Sequence, residues 1–159
     1  MRFDGELLRL AVAFNVTPGH KDFVERNPIR PGRTSAAARA ALERRTVHIP
    51  DVRADPEHAY GAKYVEALRT ILGVPILQGD DLLGVLIVYH LEVRPFTDRQ
   101  IALLETFADQ AAIAIENVRL LDELRERMNQ FLIHTVRGTK VKCALLLVED
   151  IDRASLSAG

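Results

Sequence analysis

Thr70-Ile71-Leu72-Gly73-Val74-Pro75-Ile76-Leu77, the turn Gln78-Gly79-Asp80-Asp81, and Leu82-Leu83-Gly84-Val85-Leu86-Ile87-Val88-Tyr89-His90 together decide the fold class. Two β-branched and aliphatic runs joined by a tight Gly-Asp turn predict a β-hairpin. The second run is the most apolar of the chain, which predicts a strand buried in the middle of a sheet. Pro75 offers no amide to a ladder, so the first run has an end, an edge or a bulge near it. A hairpin makes the sheet antiparallel. With helical patterns on both sides in sequence, the class is α+β.

Upstream, Asp4-Gly5 is a turn signal leading into Glu6 to Phe14, where Leu8, Leu10, Val12 and Phe14 share one face at period two. Only three residues precede Asp4, so the partner strand of that hairpin is nearly absent from these residues. Thr17-Pro18-Gly19-His20 turns into a short helix over about 21–27. The prolines at 28 and 31 hold the next residues in a loop. Thr34 or Ser35 caps a helix over 36–44, whose alanines let it lie close to a sheet. Thr46-Val47-His48-Ile49 is a strand ended by Pro50, and a short helix over about 62–68 precedes Thr70.

Downstream, Thr97 or Asp98 caps a helix expected over 98–134, roughly 55 Å of rod at about 1.5 Å per residue. Ile101, Leu104, Ala108, Ala111, Ile115 and Val118 recur at 3-4-3-4-3 spacing and form one seam. Past Val118 the apolar positions shift to Leu121, Leu124, Met128 and Phe131, a three-residue step where four is due. The first half of the rod belongs to the domain and the second half is a candidate transmitter, with the joint near 118–122. Two parts are expected: a domain over 1–127, then a helix extension and short tail over 128–159. Lys142 to Val148 reads as a strand and is expected to pair with an unpaired sheet edge, in its own subunit or a neighbour.

The bulk composition excludes several classes. Lys and Arg number 21 against 22 for Asp and Glu in 159 residues, so no field favours nucleic acid or an anionic membrane. No apolar run reaches the ~18 residues of a membrane span, and the first residues do not build a secretory signal. Cys143 is the single cysteine, which rules out an intramolecular disulfide and a cysteine metal cluster, and a cytoplasmic setting fits. His20, His48, His58, His90 and His134 fall at no metal-ligand spacing, so neither a metal nor a cofactor is expected.

The order of elements resembles a GAF domain. The phrases that carry the likeness are Pro31-Gly32, Val47-His48-Ile49-Pro50-Asp51-Val52, Leu72-Gly73-Val74-Pro75-Ile76, Gly84-Val85-Leu86, Phe96-Thr97, and Leu104 through Asn117. They match the type attached to bacterial sensor histidine kinases and cyclases. The resemblance implies an antiparallel sheet of five or six strands flanked by helices, a ligand pocket on one face, and a long C-terminal helix that pairs between subunits. Against that pattern, the family's N-terminal helix and most of its first strand are missing, and no output domain follows.

By the same resemblance, an unknown small-molecule ligand would lie between the sheet and segment 51–70, where Asp51, Tyr60, Tyr64, Arg69 and Thr70 are the polar and aromatic candidates. The plainer reading makes Asp51 a turn cap and the tyrosines core closure. Pro31-Gly32-Arg33-Thr34-Ser35 sets a cation before a helix start, where an anion can sit, although a plain turn and cap is the favoured reading. The Asn-Lys-Phe-Asp-Glu signature of cyclic-nucleotide relatives is absent. So are the catalytic cysteines of the methionine sulfoxide reductase relatives, since residues 1–142 contain none. The leading expectation is a non-enzymatic regulatory module of bacterial signal transduction, a homodimer through helix 98–134 that signals to a missing histidine kinase or cyclase. A ligand-free dimerisation scaffold comes second, and a thiol-based enzyme third.

Overall fold

The computed structural model describes residues 1–136. Its elements are β1 (Arg2–Phe3), β2 (Leu8–Arg9), α1 (Pro18–Arg26), α2 (Ala36–Glu43), β3 (Val47–Ile49), α3 (Ala62–Val65), β4 (Thr70–Gln78), β5 (Asp81–His90) and α4 (Asp98–Val136). The five strands form one antiparallel sheet in the order β2-β1-β5-β4-β3. The fold class is therefore α+β, as the sequence predicts. Two compact units divide the chain, Met1–Val118 and Arg119–Gly159.

The β4–β5 hairpin is the spine of the first unit, with Ile71 opposite Tyr89, Gly73 opposite Ile87 and Pro75 opposite Val85. Val85 spends its amide and carbonyl on Met1, so Pro75 is asked for no ladder bond on that side. On the other side β3 ends at Val47, opposite Gly73, before it reaches the proline. A register shift follows between Ile76 and Leu77, where the sequence allows a bulge.

Period-two alternation gives the sheet two apolar faces. Ile71, Ile87 and Tyr89 pack with Ala36, Ile49, Val52, Ala62 and Leu68. Leu72, Val74, Ile76, Leu86 and Val88 pack with Phe96, Ile101, Leu104 and Ala108. On the first face Ser35 caps α2 by accepting from the Ala38 amide at 3.1 Å, and Arg44 closes it in the left-handed region at φ 55°. Its alanines at 36, 37, 38, 40 and 41 are buried. A Cβ at Gly73 would lie 2.8 Å from the Ala36 carbonyl oxygen, so helix backbone and strand backbone touch there.

On the second face Thr97 caps α4. Its hydroxyl accepts from the Gln100 amide at 3.3 Å, while Gln100 Oε1 accepts from the Thr97 amide at 2.9 Å, a reciprocal capping box. Burial along α4 follows the expected seam through Ile101, Leu104, Ala108 and Ala111, with Ala112 buried beside it, and ends there. Ile115 and Val118, the last two of that seam, are 43% and 60% exposed. In the second unit, Leu120, Leu121, Leu124 and Met128 are exposed. The expected strand over 142–148 lies outside the described residues.

Two local expectations change. The strand over 6–14 shrinks to Leu8–Arg9, and Val12 and Phe14 stand 83% and 92% exposed. Its partner β1 offers two residues, and on its other side Leu8 exchanges backbone bonds only with Ile29, so beyond Arg9 there is no ladder to join. Helix α1 begins at Pro18, not near 21. The Thr17 hydroxyl accepts from the His20 amide, and a proline suits the first helical position. This places His20 on a helix rather than in a loop. His90, the last residue of β5, is half-buried and stacks on Phe96 at 4.6 Å.

Candidate functional site

Three polar groups meet on the first face: His20 from α1, Glu66 just past α3, and Tyr89 near the end of β5. The Tyr89 hydroxyl donates to Glu66 Oε2 at 2.8 Å. His20 Nδ1 lies 3.1 Å from the same oxygen, yet it has no hydrogen-bonded partner among the described residues. The His20 and Tyr89 rings stack at 5.4 Å and 27°. The side chains of His20 and Glu66 are each 10% exposed. Burial pushes the His20 pKa below its ordinary value, with Glu66 opposing, so the imidazole is neutral at pH 7. Burial, then the bond and charge of Glu66, pushes the Tyr89 phenol up.

Around this cluster the face is aromatic and tightly set. Phe23 meets Tyr60 edge-on at 5.6 Å. A Cβ at Gly61 would lie 2.9 Å from the tip of the Phe23 ring, so the start of α3 sits directly against that side chain of α1. A Cβ at Gly19 would meet Val65 at 3.7 Å, an ordinary contact.

The five residues singled out in the sequence fall into separate places. Asp51 and Arg69 come together as a forked pair at 3.0 and 2.7 Å, and the guanidinium holds the Asp51 carboxyl down to about 2. Asp51 also accepts from the Arg53 amide, the turn-cap role. Thr70 is fully buried, and its hydroxyl is consumed by backbone: it donates toward the Pro50 carbonyl at 2.7 Å and the Glu92 carbonyl at 3.2 Å, and accepts from the Arg94 amide at 2.9 Å. Tyr60 donates to the Asn27 carbonyl at 2.8 Å, packs with the first face, and is pushed up to about 12 by burial. Tyr64 points outward at 83% exposure with Lys63 Nζ 5.3 Å from its ring.

Sequence reasoning passed over His20, Glu66 and Tyr89. A signal existed for Tyr89, which continues the Val85, Ile87 alternation onto the same face as Ile71. None existed for Glu66, whose depth depends on how the segment after α3 returns to the sheet.

Two other polar groupings lie on the first unit. His58 is 3% exposed with neither ring nitrogen bonded among the described residues, while Lys63 Nζ donates to its carbonyl at 2.5 Å. Arg39 pairs with Asp55 at 2.7 Å, and Arg33 forks onto Glu57, so the cation ahead of α2 is engaged by a carboxylate. An open groove of about 380 Å³ runs between Leu77–Gln78 and the Asp109, Ala112, Ile113 and Glu116 side of α4. Among the described residues no group of three or more His, Cys, Asp or Glu side chains could hold a metal ion. No described helix is long and apolar enough to cross a membrane.

A sequence model of the GAF domain matches residues 2–115. The chain belongs to the GAF domain family. Solved structures agree on the fold. The GAF domain/HD domain protein of Geobacter sulfurreducens is 17% identical with a TM-score of 0.62, over 75% of this chain and 78% of that one. The GAF domain of a phosphoenolpyruvate-protein phosphotransferase from Coxiella burnetii is 22% identical with a TM-score of 0.56, over 63% of this chain and 60% of that one. A free methionine-R-sulfoxide reductase from Neisseria meningitidis, solved with its substrate, is 23% identical with a TM-score of 0.52, over 59% and 54%. The match to the last two spans less than two thirds of their length. At these identities the likeness is one of fold, and the family is one of regulatory and ligand-binding modules.

Proposed function

We propose that this GAF domain is a regulatory small-molecule-binding module of a bacterial signal-transduction protein, not an enzyme. The observation that carries the reading is the His20–Glu66–Tyr89 cluster. Polar groups with unmet bonding capacity lie within an apolar and aromatic layer, the arrangement that fixes the orientation of a small ligand. A thiol-based enzymatic reaction would find no cysteine anywhere in residues 1–142.

Ligand binding is read out through α4 to an output domain, such as a histidine kinase or cyclase, in a cytoplasmic homodimer. Leu103, Phe107, Ile113 and Val118 are each more than half exposed on α4, and that apolar surface supports helix pairing between subunits. A ligand favouring one arrangement of the helix pair by about 1–3 kcal/mol is enough for a signal. The test is a thermal-shift screen of the purified domain against metabolites. Saturable stabilisation by one chemical class is expected. A midpoint unmoved by every compound, in a protein that still dimerises, would instead support the ligand-free scaffold.

A further inference from the structure

We propose that Glu66 is the recognition point for a small primary ammonium ligand, whose N–H groups are accepted by the Glu66 carboxylate and the His20 imidazole beside the Tyr89 ring. The inference rests on the regulatory-module reading and names the ligand class of that site. It starts from a charge that is not balanced. The Glu66 side chain is only 10% exposed, and among the described residues no lysine or arginine pairs with it. The nearby cations are committed elsewhere: Lys63 Nζ donates to the His58 carbonyl, and Arg69 forks onto Asp51.

The groups that face Glu66 are His20 from α1 and Tyr89 from β5. Tyr89 is neutral, and burial keeps His20 neutral at pH 7 as well. A carboxylate taken out of water without a counter-charge is costly, and an arriving cation relieves that cost.

Bonding capacity narrows the class. Tyr89 satisfies Oε2, and among the described residues no hydrogen bond engages Glu66 Oε1. His20 Nδ1 is likewise without one, and a neutral imidazole protonated at Nε2 presents Nδ1 as an acceptor. Two open acceptors, Glu66 Oε1 and His20 Nδ1, match a group with several N–H donors, which a primary ammonium has and a quaternary ammonium lacks. Aromatic rings supply the rest. Tyr89 stacks on His20, and Phe23 and Tyr60 complete the same apolar layer, a setting that attracts a cation carrying a short alkyl body.

The experiment is an NMR titration of the full chain, following the His20 and Tyr89 ring resonances, with butylammonium, tetramethylammonium, 1-butanol and butyrate as probes. Butylammonium is expected to shift both rings saturably and to bind at least about tenfold more tightly than the other three. Glu66→Gln is expected to remove that preference by about the same factor. The proposal is overturned if 1-butanol or tetramethylammonium binds as well as butylammonium, or if Glu66→Gln binds it unchanged.

A second measurement needs no variant. In ligand-free protein His20 is expected to titrate below 6.5, and a value above it would make the imidazolium the counter-charge and remove the need for a ligand cation. A metabolite that stabilises the wild type and Glu66→Gln equally would overturn the ammonium assignment while leaving the module reading in place. If no compound of any charge stabilises the wild type, the module reading fails instead.

Discussion

Replacing Gly73 with alanine tests how α2 is seated on the sheet, and through it the wall that closes the candidate site. The new Cβ would lie 2.8 Å from the Ala36 carbonyl oxygen, 3.1 Å from its carbonyl carbon and 3.3 Å from Ile87 Cδ1. Two of these obstacles are backbone, so no rotamer change relieves them. Helix α2 must lift, and it carries five buried alanines against the sheet. Overpacking of this kind costs about 1–3 kcal/mol. The gain from stiffening the unfolded chain returns only about 0.4–1 kcal/mol, leaving a net loss of about 1–2 kcal/mol. For a domain of this size each kilocalorie moves the midpoint by roughly 3–5 °C, so Tm should fall by about 3–10 °C. Gly32→Ala is the control, because its nearest neighbour would be the Arg30 carbonyl oxygen at 3.8 Å. It should be neutral or slightly stabilising. Calorimetry and urea unfolding of the two variants side by side decide the matter. A Gly73→Ala protein as stable as Gly32→Ala would refute the direct helix-on-strand contact.

Other outcomes follow from the same contacts. Burial holds the pKa values of His20, His48 and His58 below their ordinary 6.5, so the unfolded chain binds more protons than the folded one and stability falls as pH drops through 6.5. For His20 and His58 the slope is at most about 1.4 kcal/mol per pH unit each, and His48 would also lose the bond its Nε2 accepts from the Phe96 amide. Urea midpoints flat from pH 7.5 to 5.5 would contradict this. Thr70→Val keeps the shape but strips a hydroxyl that joins three backbone groups, and should cost about 1–3 kcal/mol by urea unfolding. An unchanged midpoint would show those bonds to be replaceable by water. Phe107→Glu, on an exposed position of α4, should leave thermal stability within about 0.5 kcal/mol yet shift the sedimentation profile toward monomer; an unaltered dimer would exclude that face from the interface.

Much of the fold was legible because it rests on local rules. The β4–β5 hairpin, the Ser35 and Thr97 caps and the alanine face of α2 each follow from residue types at fixed spacing. The failures came where a distant partner decides. Leu10, Val12 and Phe14 carry a strand pattern, but a ladder needs an opposite strand, and β1 supplies only Arg2–Phe3. The heptad spacing on α4 matches the burial through Ala111, but the seam ends before Ile115, which is 43% exposed.

The same division holds for the candidate site. Asp51 and Arg69 prove to be each other's partners, and Thr70 is spent on backbone, relations that no spacing reveals. Glu66, His20 and Tyr89 are far apart in sequence and meet only because the segment after α3 folds back under α1 beside the end of β5.

The central claim is that a small molecule is sensed on the face that carries His20, Glu66 and Tyr89. Amide hydrogen exchange of the full chain, with and without a compound that raises its melting midpoint, tests this most directly. Protection concentrated in α1, in residues 60–68 and at the end of β5 is the predicted result. Protection confined to the groove beside Ile113 on α4, with those three segments unchanged, would contradict it.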